Sequence, residues 1–292
     1  MTQGSIVALV TPMFASGEID WESLEALVEW HVSSGTVGIV PVGTTGESPT
    51  VSPEENCEII RFVVEKTKGR MTVIAGTGAN STAEAIEFTA FAKVSGADAC
   101  LLVTPYYNKP TQEGLVAHYS AIADAVDLPQ VLYNVPGRTA CDLLPETVAR
   151  LAVLPQVVAI KEATGSLERA REIRQLCGET VAIYSGDDET SCDLMLDGAQ
   201  GTISVTANVA PKTMAKMANA AVKGEATLAR SLDAKLSGLH QTLFLESNPI
   251  PVKWALSYMD RIPSGIRLPL TGLSELHHNE VIAAMHQAGV LT

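Results

Sequence analysis

Positive charge and aromatic rings are both scarce in this chain. Of its 292 residues, 20 are Lys or Arg against 33 Asp or Glu, a formal charge of −13, and only 5% are aromatic. So acidic a chain is repelled by nucleic-acid polyanions and acidic membrane surfaces, which leaves small molecules, including anions held by local cationic groups. The cysteines Cys57, Cys100, Cys141, Cys177 and Cys192 are odd in number and form no Cys-x-x-Cys pair. They read as buried thiols of a cytoplasmic protein, not as a disulfide framework or a zinc site. No His-x-x-x-His pair exists and His277 and His278 are adjacent, so metal ligation has no support. Gly-x-Gly-x-x-Gly and Walker runs are also missing, which removes dinucleotides and nucleoside triphosphates. The opening Met1-Thr2-Gln3-Gly4 carries no basic region, and the apolar stretch behind it breaks at Thr11-Pro12. Neither a signal peptide nor a membrane span is expected there.

With 46% hydrophobic residues and a slightly positive mean hydropathy, the chain can bury a large core. Apolar, strand-like runs alternate with longer amphipathic stretches. The runs are Ser5–Val10, Val37–Val42, Thr72–Ala75, Ala99–Thr104, Gln130–Asn134, Val157–Lys161, Val181–Ser185 and Gly201–Val205. Helix starts are predicted at Asp20, Ser52-Pro53, Ser81, near Thr111, near Pro145, at Ser166 and at Asp188, where short polar side chains cap and proline fits the first turn. Eight strand-then-helix units in roughly 220 residues predict an α/β fold, a (β/α)8 TIM barrel, over a doubly wound open sheet. After Lys223 the β-type runs stop. Glu225–Leu245, Pro251–Met259 and Ser274–Ala288 read as helices, so the expected division is a catalytic barrel over 1–223 and a small helical appendage over 224–292 packed on its wall.

The run Val157-Val158-Ala159-Ile160-Lys161 stands out. Strand alternation puts Lys161 on the face of Ala159 and Val157, away from Ile160 and Glu162. An amine on a poorly hydrated face shifts toward its neutral, nucleophilic form. Reactive groups of such barrels gather where strands end, which collects Thr44-Thr45, Tyr106-Tyr107, Tyr133, Lys161, Gly186 and Ile203 at one mouth.

Four segments, Gly43-Thr44-Thr45-Gly46-Glu47, Thr104-Pro105-Tyr106-Tyr107-Asn108, Tyr133-Asn134-Val135-Pro136-Gly137-Arg138-Thr139 and Ile160-Lys161-Glu162-Ala163, resemble the signatures of the class I pyruvate-dependent aldolase family. The likeness extends through Gly201–Val205 and Asn248–Lys253, so it spans the chain. The resemblance implies that Lys161 forms a Schiff base with pyruvate and needs no metal or organic cofactor, the iminium being the electron sink. It makes Tyr133 the proton donor and acceptor, and Thr44 the hydroxyl linking Tyr133 to a Tyr107 supplied by a neighbouring subunit. Thr45, Arg138, Gly186 and Ile203 fall on substrate-binding positions, Gly186 allowing close backbone approach.

Arg138 and the Gly-Thr-Thr-Gly-Glu loop resemble the dipicolinate branch, whereas sialic-acid lyases lack that arginine and tend to read Gly-Ser-Thr-Gly-Glu. They imply an acceptor aldehyde that carries a carboxylate, consistent with L-aspartate 4-semialdehyde, on the route to lysine and diaminopimelate. The neighbouring readings are a 2-keto-3-deoxy sugar acid aldolase, an N-acetylneuraminate lyase and, in another class, a non-catalytic metabolite-binding barrel. Ser48, Asn80, Glu84 and Tyr106 match a regulatory lysine site of relatives, but Pro53 and Asn56 stand where lysine-sensitive members carry histidines, which implies weak or absent feedback. A homotetramer built as a dimer of dimers is implied, with no nucleic-acid or membrane partner. Asp187 and Asp188 read as helix-start acids, and Glu47 has no assigned role.

Overall fold

The computed structural model describes residues 2–291, so Met1 and Thr292, the outer bounds of the two expected segments, lie outside it. Eight parallel strands pair in chain order, and the last closes on the first. They are β1 (Gly4–Ala8), β2 (Gly38–Val40), β3 (Thr72–Gly76), β4 (Ala99–Val103), β5 (Gln130–Asn134), β6 (Val157–Glu162), β7 (Ala182–Ser185) and β8 (Gly201–Ser204). Around them run α1 (Trp21–Ser34), α2 (Pro53–Thr67), α3 (Thr82–Ser95), α4 (Gln112–Ala125), the short α5 (Pro136–Thr139), α6 (Pro145–Leu151), α7 (Leu167–Cys177), α8 (Ser191–Leu196) and α9 (Pro211–Val222). Three more helices follow, α10 (Ala226–Thr242), α11 (Ile250–Tyr258) and α12 (Glu275–Gln287), with α10 lying against α9 and α12. No helix among the described residues is long and apolar enough to cross a membrane.

Local chemistry explains most of these boundaries. Asp20, Ser81, Thr111 and Ser166 each accept a backbone N–H of the first turn they precede. Ser52 and Glu55 form a reciprocal capping box, with Pro53 filling a position that needs no donor. β2 is shorter than the predicted Val37–Val42, because Pro41 has no N–H for a ladder and Val42 turns into a left-handed conformation, φ 53°.

A helix from Asp188 is not what forms; α8 begins at Ser191. The buried Asp188 carboxylate instead accepts Val205 N at 2.9 Å and Thr206 N at 2.8 Å, tying the exit of β7 to that of β8. Asp187 does act as a helix-start acid, its carboxylate accepting Thr190 N at 3.1 Å and Thr190 Oγ1 at 2.7 Å in the turn that leads into α8.

Strands buried on both faces feed two apolar layers, as parallel sheets require. Ile6, Ile74, Leu101, Val131, Tyr184 and Ile203 fill the barrel interior, while Val7, Ile39, Leu102, Leu132, Ile160 and Ile183 pack outward under the helices. Each such aliphatic side chain contributes about 1.5–3 kcal/mol on burial.

One expected face is wrong. Gln130 pairs with Val157, but Val131 already pairs with Ala159, so a bulge at Val158 absorbs one residue. Val157 therefore joins the outer layer, while Val158 packs against the interior cluster with Ala159, and Lys161 faces the cavity.

Candidate active site

The C-terminal ends of the strands enclose a cavity of about 110 Å³. Thr44, Thr45, Tyr133, Arg138, Lys161 and Gly186 line it together, although they come from four different strand exits. Asp187, Val205, Phe244 and Asn248 complete much of the wall.

Lys161 stands at the centre of this arrangement. It pairs with Tyr133 on one side and Tyr184 on the other, and it is only 5% exposed. Its Nζ sits 4.3 Å from the centroid of the Tyr133 ring, a face that favours a cation. Among the described residues no carboxylate lies within 4 Å of that amine. Glu162, the acid next along the strand, points to the opposite face. There its oxygens accept Thr164 N at 2.8 Å and Asn134 Nδ2 at 3.1 Å. Burial pushes the Glu162 carboxyl above its usual range, while those hydrogen bonds pull the other way. Asn134 also donates to Asp142, which Arg169 grips with two bonds of 3.0 Å. Asn134 and Glu162 thus tie β5 to β6 one residue beyond Tyr133 and Lys161.

Gly186 makes room for the lysine. A Cβ there would meet Ala163 Cβ at 2.6 Å and Lys161 Cε at 2.9 Å, so close approach is real but the group approached is the lysine stem.

Thr44 and Thr45 sit on a single tight helical turn, Thr44–Gly46, directly after β2. Thr45 Oγ1 accepts a hydrogen bond from Asn248 Nδ2 at 3.0 Å. Arg138 lies on α5, which Pro136 opens. It is exposed and has no carboxylate within 4 Å among the described residues, so its planar fork is free for an incoming anion.

Ile203 is placed in the interior layer below the cavity, and Val205, two residues later, takes the lining position. Tyr107 lies outside the cavity of its own chain, 89% exposed and left-handed at φ 73°. A bulky residue held there is uncommon and marks a loop shaped by its surroundings.

A second cavity of about 210 Å³ adjoins the first, sharing Thr44, Val135 and Arg138 with it and adding Ser48 and Tyr106. Asn80 Nδ2 donates to Tyr106 O at 3.3 Å, and burial, then the charge of Glu84, push the Tyr106 phenol up. Three of the regulatory candidates thus meet at Tyr106, while Ser48 shares its cavity.

Sequence reasoning gave no role to Phe244, Asn248 or Glu47. Asn248 carried a faint signal, a polar residue ahead of two closely spaced prolines between helical stretches. Glu47 carried none. It is buried, ion-paired with Lys253, and accepts Arg267 N at 3.1 Å.

Residues 1–288 match the family model described as the dihydrodipicolinate synthetase family. A 4-hydroxy-tetrahydrodipicolinate synthase of Methylococcus capsulatus is 62% identical over 291 residues, covering 100% of both chains. That of Alcanivorax borkumensis is also 62% identical over 291 residues, covering 100% of this chain and 99% of its own. Among solved structures, a chloride-inhibited dihydrodipicolinate synthase of Acinetobacter baumannii complexed with pyruvate superposes with a TM-score of 0.98 at 55% identity, with 100% of each chain covered.

Proposed function

The chain belongs to the dihydrodipicolinate synthetase family, and from that premise we propose how its barrel mouth works as a 4-hydroxy-tetrahydrodipicolinate synthase. It joins pyruvate to L-aspartate 4-semialdehyde. The Lys161 amine adds to the C2 carbonyl of pyruvate, and loss of water leaves an iminium. A proton leaves the methyl carbon and the electrons settle on nitrogen, giving an enamine. Its carbon attacks the aldehyde, forming a carbon–carbon bond and an alkoxide that takes a proton. The amino group of the acceptor then adds to C2 and displaces Lys161, closing the ring. One water is released overall.

Each proton transfer requires a hydroxyl beside the amine, and Tyr133 supplies it, with Thr44 next in the relay. The pyruvate carboxylate is held at the turn of Thr45, and Arg138 takes the carboxylate of the acceptor in a two-pronged grip. Gly186 clears the lysine stem, and the main chain near Ile203 and Val205 forms the floor. The iminium itself is the electron sink, so the cycle calls on neither metal nor organic cofactor.

The observation that carries this reading is an inward-facing, carboxylate-free lysine packed on the ring of Tyr133 beneath two separate anion-holding groups. Borohydride reduction in the presence of pyruvate, followed by peptide mass mapping, tests it. A pyruvate-derived label on Lys161 is expected, and consumption of both substrates without that label would refute the imine.

Tyr107 completes the relay of a second copy, as its exposed position away from the cavity of its own chain allows. A dimer is then the smallest active unit, and a homotetramer of two dimers is the proposed assembly, in the cytoplasm. We place the edge of the catalytic barrel at residue 223, with the rest as a helical region packed on it. Ser48, Asn80, Glu84 and Tyr106 form the proposed lysine-responsive cleft, with weak feedback because Pro53 and Asn56 replace charged-capable side chains.

A further inference from the structure

The turn that carries Thr44 and Thr45 is gripped from both ends by residues far along the chain. At one end Asn248 Nδ2 donates to Thr45 Oγ1 at 3.0 Å. At the other, Glu47 caps the turn in a left-handed conformation, φ 59°, and is 1% exposed. One of its oxygens pairs with Lys253 Nζ and the other accepts Arg267 N. Asn248 and Lys253 belong to the same stretch, the entry to α11 and its first turn, and both are at least nine-tenths buried.

Hydrogen-bond direction gives this grip a chemical meaning. A threonine hydroxyl has one proton to donate. Since Thr45 Oγ1 accepts from Asn248, its own proton is free for another acceptor, and Thr45 and Asn248 both line the cavity. Asn248 Oδ1 has no protein partner, so Thr45 is the group that orients the amide. The Glu47–Lys253 pair serves a different end. Buried ions are held tightly only when matched, so the pair allows the turn few alternative placements.

We propose that Asn248 and Lys253 are positioning residues of the active site, Asn248 fixing the Thr45 hydroxyl as a donor to the carboxylate of the bound 2-oxo acid and Lys253 anchoring the turn through Glu47. This rests on the imine reading above. The region after the barrel is thereby part of the pyruvate site, and its contribution falls on binding the first substrate more than on the later proton transfers.

The test measures how labelling of Lys161 by borohydride depends on pyruvate concentration, alongside steady-state kinetics and thermal unfolding. In Asn248→Ala the half-saturating pyruvate concentration is expected to rise about tenfold, the worth of one hydrogen bond to a charged group's donor. In Asn248→Asp it rises further, because a carboxylate would take the Thr45 proton for itself and repel the substrate anion. In both, the rise exceeds any fall in kcat. Lys253→Met alone strands the Glu47 charge and can unfold the chain, so the paired variant Lys253→Met with Glu47→Leu carries that arm. It is expected to keep its circular dichroism spectrum while half-saturation rises at least threefold. Half-saturation unchanged within twofold in Asn248→Ala removes Asn248 from the assignment, and the same result in the folded paired variant removes Lys253. Loss of stability with unchanged half-saturation would make both residues merely structural. Absence of label in the unsubstituted protein would instead overturn the imine reading itself.

Discussion

A side-chain carbon at Gly186 would lie 2.9 Å from Cε of Lys161 and 3.0 Å from its Cγ, inside the closest approach that two such carbons tolerate. β7 therefore dictates the path of the lysine on β6. Gly186→Ala is expected to push the stem off its rotamer and move the amine by about 1 Å, a displacement worth on the order of a hundredfold in rate. Initial rates of imine trapping compare the two proteins, and a variant within threefold of the parent would show that the stem has room to yield.

Tyr133→Phe keeps the ring against Lys161 and removes only the hydroxyl. Turnover is expected to drop by about 10²- to 10⁴-fold, the usual share of a general acid–base group. Unfolding temperature stays close to that of the parent, since the buried ring is retained. Turnover within tenfold would hand the proton work to another residue.

For Tyr107→Phe the side chain is exposed within its own protomer, so folding of the chain is not at stake. Turnover falls if the hydroxyl acts in a neighbouring copy. Mixing the variant with Lys161→Ala protein is then expected to restore part of the activity in hybrid dimers, because one site regains both groups. No recovery in verified hybrids would place Tyr107 outside the relay.

Feedback by lysine is expected to be weak. Pro53 occupies the first turn of α2 and offers no side-chain donor, and Asn56 is buried with its Oδ1 unpartnered. Steady-state assays across lysine concentrations check this, with full inhibition below millimolar as the contrary result. Introducing Pro53→His and Asn56→His together is expected to increase sensitivity.

Two buried histidines make the fold sensitive to acid. Burial, then the charge of Arg261, hold His31 down at about 3, and burial alone holds His118 at about 4, against 6.5 for both in an open chain. Below 6.5 the unfolded chain therefore takes up protons that the folded one refuses until the pH nears those lower values. Stability is lost as pH falls through this window, by about 1.4 kcal/mol per pH unit for each histidine. Urea unfolding at several pH values between 6 and 4.5 is expected to show a slope shallower by about that amount in His31→Gln. An unchanged slope would mean that His31 protonates in the folded state.

How much of this could be read beforehand followed the range of the interactions. Caps at Asp20, Ser52, Ser81, Thr111 and Ser166 depend on residues within one turn, and they fell where the sequence placed them. Thr44, Thr45, Tyr133, Arg138 and Lys161 meet at one cavity because strand exits of a barrel must meet, so their motifs sufficed. Strand alternation alone puts Val157 on the wrong face, since a bulge depends on register with β5 and leaves no mark in its own strand. Asp188 looked like a cap because its true partners, Val205 and Thr206, lie 17 and 18 residues on. Glu47 was unreadable for the same reason on a larger scale, its partners being 206 and 220 residues away.

That last separation sets when the threonine turn can be anchored during synthesis of the chain. All eight strands, and with them the whole interior apolar layer, leave the ribosome before Lys253 and Arg267 do, so the threonine turn is still unanchored when the strands have emerged. Contacts of such long range form late. Anchoring of that turn then arrives as one of the closing events of biogenesis.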